Sequence, residues 1–282
     1  MAHVVTVLPQ PFLACDGALR VHCIPADQDN LVWVAQCVET GEAVIVDGPP
    51  DEQMLAAIDA LDANITAVWN THTHPDHIGI NVLLAQKGRL ASLAVVASKG
   101  ANLAIPGLTR AVDDGDTVQV GNVTAKVWRT DGHQNGHITY VFDDVIFCGD
   151  TLFAGGCGFL FDGPPEAMHN SLMRLAGLPP ETRICCAHEY TTDNLAYAAF
   201  IEPGNEALMA RVADVTERRA LGECVVPSTI GMEQATNPFL RPGSPEIMAA
   251  MRTAGLLTES NQPADVFTAV RNYKNMGPHK GV

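Results

Sequence analysis

The stretch from Ile65 to Gln86, ITAVWNTHTHPDHIGINVLLAQ, constrains this chain more than any other. Its opening is a run of β-branched and aromatic residues, which predicts a strand. Its close carries apolar positions three and four apart, which predicts a helix. Between them three histidines and an aspartate (His72, His74, Asp76 and His77) fall within six positions. Crowded imidazoles repel one another when protonated and need partners when neutral, so such a cluster implies something for them to hold. Residues two apart in extended backbone share a face, so His72 and His74 aim at one point. Pro75 ends the extension, and Asp76 with His77 opens the helix and aims at a neighbouring point. Mixed His and Asp donors suit zinc, iron or manganese rather than calcium. Two metals at neighbouring points would need a bridge and further ligands from elsewhere.

The rest of the first two-thirds supplies strand ends where such ligands fit. LVWVAQCV, AVIVDG, ITAVWN, LAVVAS, TAKVWRT, ITYVF, DVIFCGD and RICCAH are β-branched or aromatic runs bounded by Gly, Asp or Pro. The near-continuous apolar runs predict strands covered on both faces, as in a layered α/β protein. Helices are predicted at DEQMLAAIDAL, HIGINVLLAQKG and PPEAMHNSLMRLAG. His133 and His137 lie in a Gly-punctuated turn after a strand, Asp150 ends a second strand and His188 a third. After His188 the texture becomes helical, through TTDNLAYAAFI, NEALMARVADVTERRALG, SPEIMAAMRTAG and PADVFTAVRNYKNMG, with VPSTIGMEQATNPFLRPG as a connecting loop. The expected division is therefore a domain over residues 1–190 and a smaller helical one over 191–282.

Composition narrows the class of function. The chain has 282 residues, 47% of them hydrophobic, 17% charged, with a net charge of −15. That size allows a large core, and the acidic balance disfavours nucleic acid and anionic membranes, which need clustered Lys and Arg. The N-terminus has no basic segment before its apolar stretch, and no apolar run nears the roughly 20 residues that span a bilayer, so neither a signal peptide nor a membrane span is expected. Eight cysteines without CxxC spacing are expected to be reduced, buried thiols of a cytoplasmic protein.

The motif THTHPDH resembles the T-H-x-H-x-D-H signature of the metallo-β-lactamase fold superfamily. GDTLFAGGCG, AHEYTTDNLAYA and VPSTIGMEQATNPFLR look like one branch of it, glyoxalase II (hydroxyacylglutathione hydrolase), and the likeness runs from Asp29-Asn30 to about Lys274. The resemblance implies an α/β fold, an αββα sandwich followed by a smaller helical domain, with a binuclear metal site between the sheets. Position by position it implies that His72, His74 and His133 hold one metal. Asp76, His77 and His188 would hold the other, with Asp150 bridging and Asp47 as a buttress. His137 is expected to support the site, since both ligand sets are complete without it. Tyr190 matches a tyrosine that contacts glutathione, and Arg271 and Lys274 match a basic pair that grips its carboxylate. Where the family usually has Lys or Arg after GCG, this chain has Phe159, and Phe161 stands where some members have tyrosine. The first twenty-five or so residues precede the likeness and carry no assignment.

The implied cofactors are two divalent ions per chain, zinc foremost, with iron or manganese as alternatives. A shared water then ionises near neutral pH and attacks a thioester carbonyl polarised by a metal, with Asp76 and Asp150 as the catalytic carboxylates. A thiolate leaving group, with thiol pKa values near 8.5, needs no separate general acid. The expected reaction is hydrolysis of S-2-hydroxyacylglutathione to glutathione and a 2-hydroxy acid such as D-lactate, by a monomer or weak homo-oligomer. Phe159 motivates an alternative, the same fold acting on a lactone or another thioester. A single-metal persulfide dioxygenase would use fewer ligands than this chain retains. A metal-binding protein without turnover is the reading from another class, and the complete ligand set weighs against it.

Overall fold

The computed structural model describes residues 3–101 and 103–280. Seven strands form a first sheet in chain order: Phe12–Ala14 (β1), Leu19–Ala26 (β2), Asn30–Cys37 (β3), Glu42–Val46 (β4), Asn64–Trp69 (β5), Ala94–Ser98 (β6) and Arg110–Val112 (β7). Pairing is antiparallel from β1 to β4 and parallel from β4 to β7. The parallel steps carry the crossover helices Glu52–Asp59 (α1) and Pro75–Gln86 (α2). Next come Thr117–Val120 (β8), Val123–Arg129 (β9), Ile138–Val141 (β10) and Val145–Gly149 (β11), then a short hairpin of Leu152–Phe153 (β12) and Gly156–Cys157 (β13). Helix Pro165–Ala176 (α3) leads to Arg183–Cys186 (β14). The second sheet has the order β15-β14-β11-β10-β9-β8, its edge strand Ser228–Thr229 (β15) being contributed by the helical C-terminal region. That region holds Thr191–Ile201 (α4), Glu206–Ala220 (α5), Ile230–Thr236 (α6), Pro245–Thr253 (α7) and Pro263–Met276 (α8).

Burial explains the layering. Every residue of β3 is buried, because both of its faces are covered. On one face Val32, Val34 and Ile45 pack with Met54, Leu55 and Ile58 of α1 and with Ile80 and Leu84 of α2. On the other, Trp33, Val44 and Trp69 meet Tyr140, Phe147 and Ile184 of the second sheet, with Trp69 and Tyr140 at 4.9 Å between ring centroids. Met168, Leu172 and Leu175 of α3 and Phe267 of α8 extend this core beyond the second sheet. The result is an αββα sandwich followed by helices, as the resemblance implies. All eight cysteines are free and seven are buried, and no helix among the described residues is long and apolar enough to cross a membrane.

Two local outcomes differ from expectation. The unassigned N-terminal residues form β1 and β2, and β2 alternates between buried and partly exposed positions while pairing with β3 along eight residues. The expected loop after Gly222 contains β15 and α6, a helix capped by the Thr229 side chain. A seven-residue helix that buries Glu233 and Thr236 with Ile230 shows no apolar periodicity to be seen in advance.

Candidate active site

The sheets deliver their ligands at strand ends. β5 ends at Trp69, and the following turn carries His72 and His74. His74 keeps extended backbone as the residue before Pro75, which occupies the first turn of α2 and places Asp76 and His77 at the helix start. The turn after β9 brings His133, the turn after β11 brings Asp150, and the residues after β14 bring His188.

These side chains form two groups whose donor atoms lie within 4.8 Å of one another: His72, His74, His133 and Asp150 in one, Asp76, His77 and His188 in the other. His74 Nδ1 is 3.0 Å from Nε2 of both His72 and His133. Asp150 faces both groups. Its Oδ2 is 3.4 Å from His133 Nε2, while Oδ1 is 3.5 Å from Nε2 of both His77 and His188. Asp76 Oδ2 completes the second group, 3.4 Å from His77 Nε2 and 3.3 Å from His188 Nε2. A third grouping, Asp47 with His72 and His77, is better read as a buttress. Asp47 already accepts from the Thr71 backbone N–H at 2.8 Å, the Thr71 hydroxyl at 2.7 Å and His77 Nδ1 at 2.9 Å.

The outer hydrogen bonds fix which ring nitrogen is bare. A backbone carbonyl accepts only, so Phe159 O, 2.7 Å from His133 Nδ1, makes that nitrogen the donor and leaves Nε2 as a lone pair. Asp29 Oδ1 does the same for His188 at 2.8 Å, and Asp47 for His77. The Thr71 hydroxyl donates to Asp47, so its oxygen accepts from His72 Nδ1 at 3.0 Å. His137 is fully buried and belongs to none of these groups. Its Nε2 accepts the Asp150 backbone N–H at 3.2 Å, and Nδ1 then donates to the Thr130 or Thr151 hydroxyl. It holds Asp150 from behind.

The fit to metal shows in what is left unpaired. His77 Nε2 and Asp150 Oδ1 are buried and have no hydrogen-bond partner among the described residues. A buried polar atom without a partner ordinarily costs about 1–3 kcal/mol, and two of them facing each other suit a cation between them. The field agrees. Burial lowers the His77 and His188 imidazoles, yet Asp150 with Asp47, and Asp150 with Asp29 and Asp76, more than reverse this, and His188 is raised to about 9. Partial burial opposes ionisation of Asp76, but His188 and His77 outweigh it and hold its carboxyl well below the usual range. His72 lies well below its ordinary value through burial and the neighbouring imidazoles. The crowded carboxylates draw protons onto His77 and His188, so the site calls for positive charge, which a metal ion would supply in place of those protons.

Of the expected substrate residues, Tyr190 and Phe159, together with Phe161, lie against this cluster. The Tyr190 ring stacks on His188 at 4.7 Å and is partly exposed. Phe159 and Phe161 are exposed and lie edge to face at 4.9 Å, Phe161 resting against His74 and His133. Arg271 and Lys274 are farther back on α8. Arg271 is buried and bonds Cys157 O and Asn275, and Lys274 reaches Asn194 and Asp193. Two supports lay outside the sequence reading of the site. Asp29 orients His188, and Asn30 donates to Asp76 Oδ2 at 3.2 Å. Their signal was only the start of the family likeness at Asp29-Asn30, since a turn between two strands looks ordinary by composition.

A family model described as the metallo-beta-lactamase superfamily matches residues 26–188, and one described as the hydroxyacylglutathione hydrolase C-terminus matches residues 189–277. A hydroxyacylglutathione hydrolase of a Synechococcus strain is 40% identical over 265 residues, covering 91% of this chain and 99% of that protein. One from Maricaulis maris is 42% identical over 259 residues, covering 91% and 98%. Among solved structures, ETHE1 from Myxococcus xanthus has a TM-score of 0.56 at 23% identity, covering 96% of this chain and 100% of that one, a likeness of fold alone. TTHA1623 in a di-iron-bound form has a TM-score of 0.52 at 25% identity, covering 76% and 96%.

Proposed function

The chain belongs to the hydroxyacylglutathione hydrolases of the metallo-β-lactamase superfamily, metal-dependent thioester hydrolases, and on that premise we propose how its residues divide the work. The substrate is an S-2-hydroxyacylglutathione such as S-D-lactoylglutathione, and the products are glutathione and the 2-hydroxy acid. The observation that carries the reading is the double facing of Asp150, Oδ2 towards the His72, His74 and His133 group and Oδ1 towards the unpartnered Nε2 of His77. Two divalent ions fit those groups, zinc foremost, and the related fold crystallised with two irons keeps iron beside it. Bound there, the ions supply an acidified water and an electrophile for the carbonyl oxygen.

The chain's own residues do the rest. Asp76 is the most exposed of the acidic ligands, its side chain 37% accessible, and Asn30 holds one of its oxygens. It is placed to orient the attacking water. The water oxygen adds to the acyl carbon, its protons pass to solvent, the C–S bond breaks to leave a carboxylate, and the thiolate departs without needing a proton, because thiol pKa values lie near 8.5. Tyr190 and Phe159 flank the reacting group. Arg271 and Lys274, in the helical region after residue 190, provide the positive charge for the glutathione carboxylates against a background of −15. The Phe159 and Phe161 pair supports a second reading, a lactone or other thioester with an apolar group at the mouth. The test is hydrolysis of S-D-lactoylglutathione beside an acyl-homoserine lactone, on protein of measured metal content. Thioester cleavage alone is expected. Lactone cleavage without thioester cleavage would transfer the assignment to the second reading, and bound metal with no turnover of either would remove the catalytic one.

A further inference from the structure

The β12–β13 hairpin lies between the bridge and the mouth of the site, and side chains of the C-terminal helices grip it residue by residue. Asn237 Nδ2 donates to Phe153 O at 3.3 Å and to Gly156 O at 2.9 Å. Asn194 donates to Ala154 O at 3.1 Å, and Arg271 to Cys157 O at 3.1 Å. The Gly155 N–H donates to Glu233 Oε2 at 2.7 Å. All four of these side chains are buried. The glycines let the two parts meet: a Cβ on Gly156 would lie 2.5 Å from the Asn194 amide.

The far end of the same segment presses on the metal ligands. A Cβ on Gly158 would lie 2.0 Å from Asp150 O and 2.9 Å from His133 Nδ1. Phe159 O, the next carbonyl, is the acceptor that fixes the His133 tautomer, and the Phe161 N–H returns to His133 O at 3.1 Å. Behind the hairpin Glu233 is anchored by Arg211 Nη2 at 2.6 Å and by Ser228, in an ion pair whose side chains are 6% and 0% accessible. Such a pair is weak evidence for stability, since apolar residues of the same volume often serve a core as well. What apolar residues cannot do is aim a carboxylate oxygen at one backbone N–H.

We propose that Glu233 and Asn237 are positioning residues of the hydrolytic centre, setting the hairpin so that the Phe159 carbonyl holds His133, and the turn holds Asp150, in metal-binding register. This rests on the metal cluster being the hydrolytic site. The effect is carried from the helices through five consecutive hairpin residues to two ligands, and neither Glu233 nor Asn237 touches metal or substrate.

Asn237→Ala removes four hydrogen bonds, to Phe153 O, Gly156 O and Glu233 Oε2 and from the Phe239 N–H, without changing a charge. Its test is equilibrium competition of zinc against a chromogenic chelator on the full chain, with kcat and KM at saturating zinc. Loss of an outer support typically weakens metal binding about 10–100-fold. The expected result is a loss in that range for one of the two ions, with kcat reduced and KM little changed. Ile58→Ala, in the core under α1 and remote from the hairpin, controls for general destabilisation. If Ile58→Ala weakens zinc as much as Asn237→Ala does, or if Asn237→Ala binds both ions as the parent does, the positioning role is overturned. Should Asn237→Ala not fold, Gly156→Ala, whose Cβ would meet the Asn194 amide, displaces the same hairpin and is expected to give the same signature, whereas zinc binding like the parent's would overturn the role. Zinc affinity is scored apart from turnover, so a parent protein that binds two ions yet cleaves no thioester would refute the functional reading and leave the positioning result to be judged on binding.

Discussion

On the proposed reading a single carboxylate, Asp150, joins the two halves of the site. One oxygen serves each half, and His137 holds its backbone N–H. Asp150→Ala should therefore abolish hydrolysis, as should His188→Ala, while circular dichroism shows a folded chain, because both residues follow strands whose cores are built elsewhere. Retention of more than roughly a tenth of kcat, a loss under about 1.4 kcal/mol, would contradict the roles. Phe159 behaves differently, since it works through its carbonyl and its ring projects outwards. Phe159→Arg should leave the cage intact and add a contact to a glutathione carboxylate worth about 0.2–1 kcal/mol at a wet surface. Steady-state kinetics should show KM falling up to roughly fivefold with kcat unchanged, and the gain shrinking with salt. A rise in KM would mean that the ring packs on another substrate. At this scale the donor set was legible because His and Asp crowded at strand ends have few other uses. Asp29 and Asn30 were not, because a support is defined by what it touches across the fold: His188 is 159 positions from Asp29.

The elements show the same division. α4, α5, α7 and α8 were legible, their apolar residues repeating at helical spacing between Thr, Pro, Asn or Ser at one end and Gly or Glu at the other. α6 and the β12–β13 hairpin were not, because polar contacts to each other organise them, and such contacts leave no period. α8 carries a testable electrostatic consequence. Burial and the neighbouring Arg271 lower the Lys274 ammonium to about 8, with Asp193 opposing. Its charge is thus complete below that pH and lost as pH rises through it. If Lys274 grips a glutathione carboxylate, KM should increase from pH 7 to pH 9. The amino group of glutathione titrates in the same range. Lys274→Met is therefore the control: KM should be higher than in the parent at pH 7 and change less with pH. An identical profile in both proteins would remove Lys274 from substrate binding.

For the molecule as a whole, the candidate metal cluster sits at the rim of the sandwich, outside its two apolar cores. The inter-sheet core and the core under α1 and α2 are separate and apolar, and the ligands hang from turns at their edge. A net charge of −15 and the convergence of Asp76 and Asp150 make the site attractive to cations before any glutathione thioester arrives. Protein purified without chelator should therefore contain two metal ions per chain by elemental analysis. A reproducible value of one or less in metal-supplemented protein would break the binuclear reading. Chelation should abolish hydrolysis, yet leave the far-ultraviolet spectrum close to that of the loaded protein. Ions that bind only the folded chain stabilise it by about 4 kcal/mol when present at 1,000 times their dissociation constant. For a chain of this size that corresponds to a fall in Tm on the order of 10 °C on removal. Restoring zinc should recover both Tm and activity. A stripped protein that loses its sheet signal would show that the cluster is needed to close the sandwich. The independence of the two apolar cores from the ligand turns would then be wrong.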